Sequence, residues 1–193
     1  MKKGEQTKRK MIDATASLLQ ARGYSGTGLN DVLEQSGAPK GSLYFHFPGG
    51  KEELAAAAVR SAGQQWQGNV LALLEAAPDM GEGAQAVCRL IAQSLEETGF
   101  ENGCPVATVA LESAPRSDVL HAACSDVYGA WQAIIEERLL AAGLPRGRAE
   151  RSATATLAMV EGAMLLSKAY RSTEPLRRVG EELAESFALL AHR

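Results

Sequence analysis

The sequence predicts an all-α protein, and three observations carry that prediction. The 193 residues are rich in Ala, Leu, Glu and Arg and only 5% aromatic, a composition that favours helix over strand. Apolar residues recur in steps of three and four along most of the chain. Gly and Pro fall between those periodic segments, where helices stop and start. With 46% apolar residues the chain can build a substantial core, as one large domain or as a small domain joined to a larger one.

A first helix is expected from about Gln6 to Arg22, with Met11, Ile12, Thr15, Leu18 and Leu19 on its apolar face and Gly23 as its stop. The stretch from Thr27 to Lys51, TGLNDVLEQSGAPKGSLYFHFPGGK, then reads as two short helices joined by a tight turn. Thr27 is placed as the N-cap of the first, with Leu29, Val32 and Leu33 at its apolar positions and Ser36-Gly37 closing it. Pro39 opens the second at the first helical position, where a fixed φ and a missing N–H cost nothing. Leu43 and Phe47 should pack inward, and Pro39, Lys40, Ser42, Tyr44 and His46 hold outward positions among them. A helix with one buried anchor every four residues and small or polar groups between suits a DNA major groove.

After Pro48-Gly49-Gly50, a long helix is expected over about Lys51–Ala76, with Leu54, Ala58, Ala62, Trp66, Val70 and Leu73 along one face. Helices near Gly83–Thr98 and Pro105–Ser113 follow, separated by a glycine-bounded loop over Gly99–Gly103. Ser117 caps a long helix ending near Ala142, stopped by Gly143 and Pro145. Two more, about Arg146–Arg171 and Glu174–His192, bring the expected number to about nine. The last shows Leu176, Val179, Leu183, Phe187 and Leu190 in a seam close to a heptad.

Charge is divided along the chain. The net charge is −3, which taken alone counts against a nucleic-acid binder. Residues 1–51, however, hold eight Lys/Arg against four acids, a net +4, which leaves −7 for the remainder. A basic head on an acidic body is expected if only the first quarter meets phosphates. No apolar run approaches a membrane span, and MKKGEQTKRK leads into no signal core, so a cytoplasmic protein is expected, with no membrane partner. Cys88, Cys104 and Cys124 are an odd number without close pairing, against a disulfide framework or a zinc site. Asp118, His121, Cys124 and Ser125 share a helical face, but polar residues at that spacing more often form a solvated surface. There is no His-Glu-x-x-His, phosphate loop or nucleophile-base set, so no enzyme, metal or cofactor is expected.

Thr27–Lys51 resembles the DNA-binding motif of TetR-type transcriptional regulators, and GAPKGSLYFHFPGGKEEL is similar to the LmrA/YxaF-like branch. The likeness is strongest from Lys8 to Leu54 and extends more weakly to Gly103–Ala107 and Leu111-Glu112. Pro39 stands where the wider family usually has Ser or Thr. The division expected is a DNA-binding domain over 5–65, its motif at about 28–47, and an effector-binding and dimerisation domain over 66–193.

Within the head, Thr27 at a helix N-terminus, with Gly28, and Lys51 before the long helix suit phosphates. Lys40 and Tyr44 suit phosphate or a base edge, Gly41 permits close approach, Ser42 suits a base and His46 a backbone oxygen. The resemblance implies a dimer on a palindromic double-stranded operator and release by a small effector, most simply as a repressor. Candidate pocket residues are Trp66, Tyr128, Trp131 and Met159, with Gln65 or Glu112 as polar contact and Cys104 nearby. Candidate dimer-interface residues are Leu157, Val160, Met164, Leu176, Val179, Leu183, Phe187 and Leu190. Two alternatives stay open: a DNA-binding regulator without an effector, and a thiol sensor using Cys104.

Overall fold

The computed structural model describes residues 3–191, apart from the side chains of residues 3, 114, 190 and 191. The described residues form nine α-helices and one 3₁₀ turn, with no strand. The helices are α1 (Lys3–Arg22), α2 (Leu29–Ser36), α3 (Lys40–His46), α4 (Gly50–Ala76), α5 (Met80–Glu97), α6 (Pro105–Glu112), α7 (Asp118–Ala141), α8 (Arg146–Tyr170) and α9 (Glu174–Ala191). The 3₁₀ turn, Ala114–Arg116, lies between α6 and α7. Expectations for the final helix at His192 fall outside the described residues.

Most boundaries lie within a residue or two of those expected, and the differences have local causes. Helix α5 starts at Met80, earlier than Gly83, because the Asp79 side chain accepts the Glu82 N–H at 2.8 Å and caps it there. The N-cap of α2 is Gly28, not Thr27: its N–H donates to Asp31 Oδ2 at 3.2 Å, so the third helical residue reaches back to tie the entry. Pro39 is likewise the N-cap of α3, with ψ at 140°, rather than its first helical residue. That extended ψ points the chain into α3 from outside the helix.

The chain divides into two compact units, neither contiguous in sequence: Met1–Gln65 with Cys104–Tyr128, and Trp66–Gly103 with Gly129–Arg193. In the first, Met11, Ala14, Leu18, Val32, Leu43, Phe47 and Leu54 form the core that holds α1, α2 and α3 on the start of α4. Helix α6 joins this unit: the Thr108 hydroxyl lies 3.3 Å from the Leu19 carbonyl of α1 and shares its proton between that oxygen and the Cys104 and Pro105 carbonyls of the preceding turn. The start of α7 crosses α4 so closely that a Cβ on Gly63 would lie 2.5 Å from a methyl of Val127.

In the second unit, α5 and α9 run antiparallel in tight contact, because glycines remove side chains at two levels of the seam. A Cβ on Gly81 would lie 3.0 Å from the Ala184 Cα, and one on Gly180 would lie 3.3 Å from the Cys88 Cβ. Leu176, Leu183 and Phe187 are buried in this seam, against Ile91 and Leu95 of α5 and Ala149, Ala153 and Ala163 of α8. They are therefore core, which corrects their expected place on a dimer interface. Val179, Val160 and Met164 also pack against these clusters, half-buried. The side chain of Leu190 is outside the described residues.

Candidate nucleic-acid interface

Helix α3 is only seven residues long, so its pose depends on two anchors. Leu43 and Phe47, one turn apart, are both buried in the first unit's core, and the Phe47 N–H donates to the Leu43 carbonyl at 2.7 Å. This places the opposite side of α3 in solvent. Pro39, Lys40 and Gly41 are exposed, Ser42 is half-buried and Tyr44 is 56% exposed. A Cβ on Gly41 would meet nothing within 4 Å, so at that point a bare stretch of backbone faces outward.

His46 is half-buried and held by its neighbours: its ring stands edge-on to Phe45 at 4.9 Å and at 6.5 Å from the Phe47 ring. Lys51 lies in the first turn of α4 with its ammonium over the Tyr24 ring, 4.3 Å from the centroid. The charge is thus positioned by a cation–π contact rather than left to wander. Burial raises the Tyr24 hydroxyl pKa, with the Glu52 carboxylate adding to it.

Thr27 departs from expectation. It is only 2% exposed, and its hydroxyl donates to the Gly23 carbonyl at 2.7 Å. It closes the turn between α1 and α2 and has no hydroxyl to offer a phosphate; Gly28 beside it uses its N–H on Asp31. Phe45, absent from the residues expected at the interface, is 79% exposed on the outward side of α3. Its signal was its position: two residues from each anchor, it cannot share their face.

The second unit holds an apolar cavity of about 80 Å³. Trp66, Val70, Val87, Trp131, Leu157 and Phe187 line it with other apolar groups, and Gln67 and Thr156 are its polar members. Of the expected pocket residues, Trp66 and Trp131 are therefore present. Met159 instead packs with the α8–α9 core. Gln65 is exposed, two residues before the lining position that Gln67 takes. Glu112, Cys104 and Tyr128 belong to the first unit: the Glu112 carboxylate accepts the Ser25 N–H at 2.7 Å, and the Cys104 sulfur caps α6, accepting the Ala107 N–H at 3.4 Å.

All three cysteines are buried thiols. Burial pushes the Cys88 thiol up to about 11 and raises Cys124, which donates to the Val106 carbonyl at 3.8 Å. Cys124 thus points inward, away from exposed Asp118 and His121 on the same helix. Among the described residues no cluster of His, Cys, Asp or Glu could hold a metal, and no helix is long and apolar enough to cross a membrane. Leu165, Leu166 and Tyr170 of α8 and Leu189 of α9 are large apolar side chains left exposed; of these the apolar spacing of the penultimate helix points to Leu165.

Comparison with known proteins agrees with this architecture. Residues 11–58 match the model of bacterial regulatory proteins of the tetR family, and residues 81–182 match the C-terminal domain of LmrA/YxaF-like transcriptional regulators. The chain is 38% identical to the HTH-type transcriptional regulator LmrA of Bacillus subtilis (strain 168) over 173 residues, covering 90% of this chain and 92% of LmrA. It is 33% identical to YxaF of the same strain over 177 residues, covering 92% and 93%. A crystal structure of a TetR transcriptional regulator from Chloroflexus aurantiacus J-10-FL superposes with a TM-score of 0.79 at 27% identity, covering 96% of both chains. With its tetR-type first part and its LmrA/YxaF-like second part, this chain belongs to the TetR family of DNA-binding transcriptional regulators.

Proposed function

We propose that the chain acts as a homodimeric repressor that seats two copies of α3 in successive major grooves of a near-palindromic operator, and that a small molecule relieves the repression. The observation that carries this reading is the two-sided build of α3. Leu43 and Phe47 are locked in the core while Gly41, Tyr44 and Phe45 face solvent, with Lys40 exposed in the first turn and Ser42 half-buried beside it. Half-sites should then be about 34–36 Å apart, centre to centre. Lys40 and Lys51 bind phosphates, Tyr44 and Ser42 contact phosphate or base edges, and His46 and Pro39 bound the contact area. Residues 5–65 serve as the reading part and 66–193 as the regulatory part.

The exposed apolar residues Leu165, Leu166 and Tyr170 of α8, with Leu189 of α9, support a two-fold interface built from the outer faces of these helices. Small exposed residues on the same helices, Ala158 and Ala188 among them, allow close approach. The Trp66–Trp131 cavity supports an apolar or aromatic effector. At about 80 Å³ it is smaller than a benzene-sized cavity of about 150 Å³, so a benzene-sized effector held wholly inside it needs a wider conformation. An effector that binds the wider conformation better than the DNA-bound one shifts the protein off its operator. The same small volume favours one second reading, a regulator with no effector.

Selection of duplexes from a random pool by the full-length protein, followed by titration of the enriched duplex, tests the reading. Enrichment of an inverted repeat, bound by two chains, supports it; recovery of no preferred sequence defeats it. A panel of aromatic compounds that neither raises the melting temperature nor releases the duplex removes the effector and leaves the second reading.

A further inference from the structure

We infer that Phe45 is a base-reading residue that recognises thymine, its phenyl ring packing on a C5-methyl group in the major groove. The inference rests on α3 entering that groove, as proposed above, and adds the chemical group that is read there.

Three features of Phe45 lead to it. First, the ring is 79% exposed on a helix whose other two large apolar side chains, Leu43 and Phe47, are both 1% exposed. At about 100° per residue, Phe45 lies about 200° around the helix from Leu43, on the far side from the core. Second, helical side chains lean back over the preceding turn, which here carries Gly41 at the position four residues earlier. With no side chain on Gly41 and nothing within 4 Å of where its Cβ would be, no neighbouring side chain at that position shields the exposed ring from an approaching surface. Third, the His46 ring stands against the Phe45 ring at 4.9 Å and 81°, which restricts where the phenyl can swing.

The chemistry narrows the target. A phenyl ring has no hydrogen-bonding group, so it satisfies neither a phosphate oxygen nor the N7, O6, N4 or N6 atoms of base edges. The one apolar group that base edges present in the major groove is the thymine methyl. Neighbouring Tyr44 carries the hydroxyl suited to polar contacts, so the two adjacent rings divide the work. Apolar burial against that methyl removes surface from water on both sides.

The test uses the duplex enriched by the wild-type protein, with each thymine replaced in turn by deoxyuridine, a change that removes only the methyl. For wild type, at least one replacement per half-site should weaken binding about fourfold, the value of one buried methyl-sized group. Phe45→Ala, which disturbs no core contact, should bind the unmodified duplex at least fourfold more weakly and lose sensitivity to that same replacement. Phe45→Leu should retain it. Identical deoxyuridine profiles for wild type and Phe45→Ala, or no sensitive thymine, overturn the inference. Lys40→Ala, run alongside, separates the two levels: if it weakens binding and lowers the salt dependence while the profiles stay identical, α3 is in the groove and only the role of Phe45 falls. If Lys40→Ala has no effect either, the placement of α3 falls with it.

Discussion

The carboxylate of Glu112, the last residue of α6, accepts the backbone N–H of Ser25 at 2.7 Å, in the turn between α1 and α2. An acidic group at a helix C-terminus opposes the helix dipole, so this placement needs a compensating partner, and the Ser25 N–H supplies one. One turn earlier on the same face of α6, the Thr108 hydroxyl reaches the Leu19 carbonyl at 3.3 Å as one of three acceptors, with those of Cys104 and Pro105. Two polar contacts thus seat α6 on the end of α1 and on the turn that leads into the helix-turn-helix.

Gly23 makes this contact possible. It adopts φ of +69°, and a Cβ there would lie 2.0 Å from Glu112 Oε1. Gly23→Ala should therefore destabilise the protein by about 1–3 kcal/mol, through left-handed backbone strain and the displaced carboxylate. Glu112→Ala should cost only about 0.5–1.5 kcal/mol, since the bond is exposed. In the double variant the two losses should add to less than their sum, because both act on one contact. Chemical denaturation of the four proteins measures this coupling; strict additivity would show that the carboxylate and the glycine are independent.

Lys40 and Lys51 should separate in a comparison of binding and stability. Lys40→Ala should lower the slope of log affinity against log salt by about 1 per chain while leaving the melting temperature unchanged. Lys51→Ala should also lower the slope, and in addition lose about 0.5–1 kcal/mol of stability with its contact to Tyr24. Titrations at several salt concentrations, paired with thermal melts, decide between them.

Placing charge on the exposed apolar strip of α8 should dissociate the dimer without unfolding the subunit. Leu165→Glu with Tyr170→Glu changes side chains that lie outside the subunit core. Light scattering should show one chain per particle with an unchanged helical spectrum, and operator affinity should fall at least a hundredfold as two linked contacts become one. A dimer that survives both changes would place the interface elsewhere.

Cys88 gives a pH dependence with a definite sign. Its folded-state pKa is about 11, raised by burial beside α9, against about 9 in the unfolded chain. Between those values the unfolded state loses its proton first, so stability should be full below about pH 9 and decline as pH rises toward 11. Cys88→Ala should flatten that part of the stability curve. Ellman's reagent at pH 8 should react with Cys88 only as fast as the protein opens.

The boundaries of α1, α4, α6, α7 and α8 could be read to within about three residues because their causes are local: capping residues, glycine stops and the spacing of apolar side chains. The inward anchors of α3, Leu43 and Phe47, follow from the same spacing. Thr27 was misplaced because a threonine before a helix has two uses for its hydroxyl. Capping the helix ahead and bonding the carbonyl four residues behind look alike in sequence, and here the second occurs. The seam of α9 was misassigned for a different reason: Gly81 and Gly180 let α5 come close enough to cover it within one subunit.

The sequence alone determined that this protein is a run of amphipathic helices with a basic, glycine-punctuated reading motif near its start, since periodicity, capping and charge act over a few residues. Only the tertiary structure decided which apolar faces are spent inside the subunit and which stay outside: Leu176, Leu183 and Phe187 within, Leu165 and Tyr170 without. The physical reason is that a helix's apolar stripe states a need for burial but does not name the surface that meets it. That choice belongs to distant residues, here the small side chains of α5 and α8, which admit α9.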